Sequence, residues 1–270
     1  MKQETRKTGI ARRVEPKVFL IGATELRQGA IAEYLAHVKA AQWAEKNLGR
    51  ASDPEMLVEF MGRLCYRSWA PGLNPNVSRI REGNDLYLKN ILSSRHGSVL
   101  EHSVTNWIFA DVSRVFTHEL VRHRAGTAFS QESLRFVRLE DLGFWIPPEA
   151  AEDVVLKELF ERTFSDMAEL QTQMAQHLRL DEEKDFHRKK ILTSAMRRLA
   201  PDGLATTIGV SFNFRALRHV VEMRTAESSE TEIRLVFGKV AEIAKSEWPN
   251  LFQDFTRNEK GEWKPDYSKV

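Results

Sequence analysis

One periodic run constrains the fold more than any other feature. Leu156, Leu159, Phe160, Phe164, Met167, Leu170 and Met174 recur three or four residues apart. That spacing places them on one stripe of a 3.6-residue helix, and the stripe must be covered by something. A second long helix is predicted over about 184–199, ending before Pro201. Shorter helices are expected over about 28–48, closing at Gly49, over 84–94, over Arg215–Met223, and from an N-cap at Ser113 through Arg122. Ser52 with Glu55, and Ser229 with Glu232, have the spacing of capping boxes, the second opening a helix to about Ser246. Leu57, Phe60, Met61 and Leu64 follow the first box at helical spacing, and Pro71–Asn76 reads as a loop. Strands are expected at Val18–Ile21 before Gly22, over 99–112, where polar and apolar residues alternate, and over 204–213.

The fold class is therefore α+β, close to α/β: a single domain with a small mixed sheet flanked by long helices. No repeat, low-complexity tract or linker divides it. Residues 1–17 read as a flexible basic N-terminal arm, 18–255 as the single main domain and 256–270 as a C-terminal tail.

Composition narrows the function. No run of about 18 apolar residues is present, so a membrane span is not expected. The apolar stretch Val18–Ala23 is too short for a secretory signal, and a cytoplasmic location is expected. The single cysteine, Cys65, cannot form an internal disulfide or a multi-cysteine zinc site, and its immediate neighbours, Leu64 and Tyr66, are not basic groups that would activate it. It is expected to be a buried apolar thiol. Forty Lys and Arg against 38 Asp and Glu leave a net charge of +2, so an anion-binding surface has to come from clustering.

Three clusters carry candidate chemistry. His118 and His123 resemble a zinc-protease pair but stand five apart. That spacing turns the second histidine by roughly 140° on a helix, and no metal site is expected. The second cluster is Arg122-His123-Arg124 at a predicted helix end, followed by Gln131, Ser133 and Arg135. Cations at a helix C-terminus offset its dipole, which accounts for one or two of these residues. If 131–135 is extended, Gln131, Ser133 and Arg135 share a face, giving an amide, a hydroxyl and a guanidinium for an anionic ligand. Ser133 has no ordered base to make it a nucleophile. The third cluster is Asn213, Arg215, His219 and Arg224, with Arg215 and His219 one helical turn apart. A solvated basic helix face is the plain alternative for it, and for Arg197-Arg198.

At these residues the chain resembles the flavin-dependent thymidylate synthases. Their signature is Arg-His-Arg, a short spacer, then Ser with Arg two residues on. Here it is Arg122-His123-Arg124, eight residues, then Ser133 and Arg135. Many members have a spacer of seven, and the extra residue falls near Gly126-Thr127. Leu100-Glu101-His102, Arg197 before Pro201, Asn213-x-Arg215, Arg224 and Glu232-Ile233-Arg234 match further family segments in order, across roughly 60–250.

The resemblance implies reductive methylation of dUMP to dTMP, with methylenetetrahydrofolate as carbon donor, FAD as redox carrier, NADPH as reductant and no cysteine nucleophile. It implies a homotetramer with active sites at subunit interfaces. For dUMP it implies Arg135, Arg197 and Arg224 on the phosphate and uracil, with Gln131, Ser133, Arg122 and Glu119 lining the pocket. Arg224 and Ser133 would act on the reacting ring. For FAD it implies His102, Arg122, His123, Arg124, Gln131, Asn213, Arg215 and His219. Ser228, Val104 and Cys65 depart from residues that some members use near the flavin. Two other readings compete. One is a nucleic-acid-binding module using the arginines with Phe129, Phe136, Phe212 and Phe214. The other is a helical scaffold with arginines as surface charge only.

Overall fold

The computed structural model describes residues 10–134 and 141–270. Eight strands are named among them: β1 (Ile10–Arg13), β2 (Lys17–Ala23), β3 (Val104–Ser113), β4 (Thr127–Gln131), β5 (Asp141–Phe144), β6 (Ala205–Asn213), β7 (Phe255–Arg257) and β8 (Trp263–Pro265). The helices are α1 (Gln28–His37), α2 (Ala41–Asn47), α3 (Asp53–Tyr66), α4 (Asn84–Ser93), α5 (Arg114–Leu120), α6 (Pro148–Ala151), α7 (Val154–His177), α8 (Phe186–Met196), α9 (Phe214–Arg224) and α10 (Thr231–Glu247). Strands β2, β3, β6 and β4 lie in that order in a four-stranded sheet. Strands β1 and β5 pair in parallel, and β7 pairs antiparallel with β8. The class read from the sequence, α+β with a small sheet and long helices, is the class observed.

The chain resolves into two compact units. The first comprises the described residues up to Val18, with Ile108–Arg122 and Phe129–Gly209. The second comprises Phe19–Trp107, His123–Ala128 and Val210–Val270. Each strand of the four-stranded sheet contributes residues to both.

The second unit carries dense cores. Leu26, Ile31, Leu35, Trp43, Met56, Phe60 and Trp69 close one around α1–α3. Helix α10 buries seven residues, including Ile233, Phe237 and Val240, as the period of its apolar positions requires. Trp248 meets Phe214 edge-on at 4.9 Å. Two buried arginines here are ion-paired: Arg63 with Glu59 at 2.8 Å, and Arg218 with both carboxylate oxygens of Asp254 at 2.8 Å. The first unit is sparser. Its 24-residue helix α7 buries only Phe164, Ala168 and Gln171, with Phe164 stacked on Phe144 at 4.3 Å. Val154 and Phe186 are 69% and 67% exposed.

The local differences from expectation have identifiable causes. Residues 10–13, expected in a flexible arm, pair with a strand more than a hundred residues away, a contact no local pattern encodes. The 28–48 helix breaks where Lys39 takes φ 62° and the Ala40 N–H turns back to the Leu35 carbonyl. The start of the 99–112 strand is a 3-10 turn, Gly97–His102. Ser229 does not cap α10: the Glu230 carboxylate accepts from the Ile233 N–H, while the Ser229 hydroxyl donates to the Met223 carbonyl. Helix α8 is shorter than its 184–199 forecast, and part of the expected tail forms the β7–β8 hairpin. Cys65 is exposed rather than buried, because α3 turns Met56, Glu59, Phe60 and Arg63 inward and leaves Leu64 beside it on the outer face. Ser52 and Glu55 do cap α3, the Glu55 carboxylate accepting from the Ser52 N–H and hydroxyl, and Ser113 caps α5 by accepting from the Phe116 N–H.

Candidate active site

In the second unit, the entry to α9 organises the site. Asn213 caps the helix, its Oδ1 accepting from the Ala216 N–H at 2.8 Å. Its own N–H donates to the Gly126 carbonyl at 2.9 Å. Gly126 has φ +71°, and a Cβ there would stand 2.6 Å from the Asn213 amide. Glycine is therefore required both by backbone conformation and by the close approach. The Thr127 hydroxyl donates to the His123 carbonyl at 2.6 Å, fixing the loop that follows the Arg-His-Arg run.

Arg224 closes α9, where a cation suits the helix dipole. Its Nε donates to His123 Nε2 at 2.7 Å, which requires an unprotonated Nε2 and places the neutral ring's proton on Nδ1. The His123 ring also meets His219 edge-on at 6.3 Å. Arg215 donates through Nη1 to Glu101 at 2.6 Å and through Nε to the Val270 carbonyl at 2.9 Å.

A cavity of about 360 Å³ opens beside these groups. Asn213, Arg215, His219, Gly126, Glu101 and Lys269 are among its lining residues. Its volume falls in the range of small-molecule sites. The cations and the amide suit an anionic, hydrogen-bonding ligand. Two carboxylates on the same wall already have donors: Glu101 takes Arg215, and Glu222 accepts from the Ser268 hydroxyl at 2.6 Å. The donor set suits a ligand that carries phosphate charge.

Of the expected flavin residues, the structure brings Asn213, Arg215 and His219 to this cavity and links His123 to Arg224. His102 and Arg124 are exposed and do not line it. Glu101 lines it in place of its neighbour His102. Reading the sequence did not single out Gly126, Glu222, Tyr267 or Lys269 as site residues. Gly126 was visible as the flexible point of the spacer; the others carry no local signal.

In the first unit, Glu119 on α5 pairs with Arg122 at 3.3 Å, and Gln131 Nε2 donates to the Thr117 hydroxyl at 3.3 Å. Strand β4 ends at Gln131. The Glu132 N–H donates to the Thr207 carbonyl at 3.0 Å, and its carboxylate accepts from the Thr207 N–H at 3.0 Å, tying the end of β4 to β6. Arg197 is exposed on a 3-10 turn after α8. Arg135 lies outside the described residues. No group of three or more His, Cys, Asp or Glu able to hold a metal ion is present among the described residues.

Comparison with known proteins places this arrangement. Residues 47–250 match the sequence model of Thy1, thymidylate synthase complementing protein. The flavin-dependent thymidylate synthase of Corynebacterium diphtheriae is 38% identical over 209 residues, covering 76% of this chain and 80% of that protein. The protein of the same name from Mycobacterium marinum is 34% identical, covering 76% and 81%. Among solved structures, a UMP/dUMP methylase, PolB from Streptomyces cacaoi, bound with 5-Br UMP, superposes with a TM-score of 0.59 at 16% identity, covering 89% of this chain and 93% of that one. That likeness establishes the fold.

Proposed function

The chain belongs to the family of thymidylate synthase complementing proteins, and on that premise we propose that it is a flavin-dependent thymidylate synthase, methylating dUMP to dTMP. The observation that carries this reading is the lock between Asn213, Gly126, His123 and Arg224, which lies wholly within the matched segment and sets charged side chains beside a ligand-sized cavity.

FAD, reduced by NADPH, supplies hydride in this reaction, and methylenetetrahydrofolate supplies the carbon. The chain's residues bind, orient and polarise. Asn213, Arg215 and His219 hold the flavin cofactor in this cavity; the family resemblance also assigns it His123, Arg122, Arg124, Gln131 and His102, of which His102 and Arg124 lie outside the cavity. Arg135 and Arg197 take the dUMP phosphate, because a planar guanidinium donates two parallel bonds to it. Gln131, Ser133 and Glu119 line the nucleotide pocket. Arg224 stays charged at any working pH and is aimed by His123, so it stabilises negative charge developing on the uracil without reorganising. Cys65 is given no part.

We assign the working form to a homotetramer. The exposed apolar residues of α7 and α8, Val154, Val155, Phe186 and Ile191, support association with further copies. No described helix is long and apolar enough to cross a membrane; we place the enzyme in the cytoplasm.

The test is a visible absorption spectrum of the purified protein with added FAD, followed by chromatography of products from dUMP, methylenetetrahydrofolate and NADPH. Bound flavin that bleaches with NADPH, together with dTMP formation, is the expected result. A protein that binds no flavin and makes no dTMP overturns the reading.

A further inference from the structure

Residues 263–270 lie beyond position 250, where the family match ends, yet they are fastened at several points. The Asp266 N–H donates to the Asp254 carbonyl at 3.0 Å, and the Tyr267 N–H to Asp254 Oδ2 at 3.3 Å. The Ser268 hydroxyl donates to Glu222 at 2.6 Å, and the Val270 carbonyl accepts from Arg215 Nε at 2.9 Å. Val270 is buried, and a Cβ on Gly97 would run into its carbonyl group, so glycine at 97 makes room for the segment. Between the anchors, Pro265, Tyr267 and Lys269 line the same 360 Å³ cavity as Asn213, Arg215 and His219.

We propose that this strap is a working wall of the cofactor cavity, and that Lys269 and Tyr267 are binding residues for the phosphate-bearing, aromatic cofactor held there. The inference rests on the reading of that cavity as the flavin site. Its chemistry follows from the donor count. The strap engages Arg215 Nε through Val270, and Glu101 engages Nη1, so two of the five guanidinium N–H donors are committed within the chain. Lys269 returns three donors and a full positive charge to the same wall. Tyr267 adds a ring, the surface on which planar heterocycles stack. Lys269 sits at φ 56° between the Ser268 and Val270 anchors, so its backbone position is set from both sides.

The test is titration of the purified full chain with FAD, followed by flavin fluorescence, for wild type, Lys269→Glu, Lys269→Arg and Tyr267→Ala. Thermal unfolding midpoints are measured alongside. Lys269→Glu is expected to weaken FAD binding about tenfold, the lower end for a charge-assisted bond at an exposed site, and Lys269→Arg to stay within about twofold of wild type. Tyr267→Ala is expected to weaken binding about five- to tenfold, as loss of a stacking surface does. Unchanged midpoints and unchanged dUMP affinity accompany these results if the role is cofactor binding. Wild-type affinity in both Lys269→Glu and Tyr267→Ala overturns the inference and leaves the flavin assignment intact. Equal weakening in Lys269→Glu and Lys269→Arg with a lowered midpoint also overturns it, since the strap would then be structural only. A wild-type chain that binds no FAD removes the cavity assignment and this inference together.

Discussion

The two units hold their candidate residues in different ways. In the second, side chains are tied to one another and to the backbone: Arg224 to His123, Asn213 to Gly126, Arg215 to Glu101 and Val270. In the first, the described side-chain ties of the candidates are longer, with Glu119 to Arg122 and Gln131 to Thr117 both at 3.3 Å, and Arg197 is exposed. The cores differ in the same sense. Helix α10 buries seven residues in 17, whereas α7 buries three in 24. A wall fixed in advance binds without an ordering cost, while an exposed arginine must be immobilised by its ligand, at about 0.5–1.5 kcal/mol per long side chain. On the proposed assignment, the second unit offers its cofactor a wall fixed in advance, and the first offers a surface that its ligand must order.

The largest expected effect tests how far the second unit depends on its internal ties. Asp254→Ala leaves Arg218 buried without its carboxylate and removes an anchor of the strap. A loss of about 3–5 kcal/mol of stability is expected in denaturant unfolding. A loss below about 1 kcal/mol would show that the pair is not holding the unit together. Next, Arg224→Ala is expected to lower kcat for dTMP formation about 100- to 1000-fold while FAD still binds, the usual cost of removing a preorganised donor. Gly126→Ala forces φ +71° on a residue with a Cβ and drives that Cβ into Asn213. About 1–3 kcal/mol of stability should be lost, read from the shift in thermal midpoint.

The first unit should answer differently. Arg197→Ala is expected to raise KM for dUMP about tenfold with little change in stability, because an exposed side chain ordered only by ligand contributes only when ligand is bound. An unfolding midpoint that fell as far as for Asp254→Ala would break the distinction between the units. The smallest stability effect is expected at Phe186→Glu on α8, within about 0.5 kcal/mol for the isolated chain. Its effect should appear instead as a lower oligomeric mass by light scattering.

Local chemistry in the sequence was legible where one segment decides its own structure. Ser52 with Glu55, Ser113, and the stripe from Leu156 to Met174 each encode a cap or a helix within a few residues. The Arg122–Arg124 run and the Asn213–Arg224 segment were legible as charge-bearing clusters, and their order along the chain carried the family resemblance. What was hidden depends on distant pairing. Strand β1 exists because β5 accepts it, and Arg12 and Arg13 mask any alternation. Cys65 faces out because Glu59 and Arg63 form a buried ion pair on the inner face of α3, which an apolar count misses. Lys269 was invisible as a site residue, since nothing near it in sequence announces that Asp254, Glu222 and Arg215 will seat the strap. Helix α9 lay between these cases: Arg215 and His219 share a face by spacing alone, but only the Gly126 contact shows that the face borders a cavity.

The interleaving of the two units along the chain bears on how the protein is made. The backbone passes from one unit to the other after residues 18, 107, 122, 128 and 209. Neither unit is a continuous stretch that could be excised and expressed alone. On the ribosome, well over half of the second unit's sequence, beginning with residues 19–107, waits for its partner segments until residue 210 and beyond have emerged. Contacts of such high sequence separation slow folding, because the intervening chain must be closed into loops before they form. The nascent chain is therefore committed to a long interval with half-built cores, and its demand on chaperones should be set by chain order rather than by the stability of the finished fold.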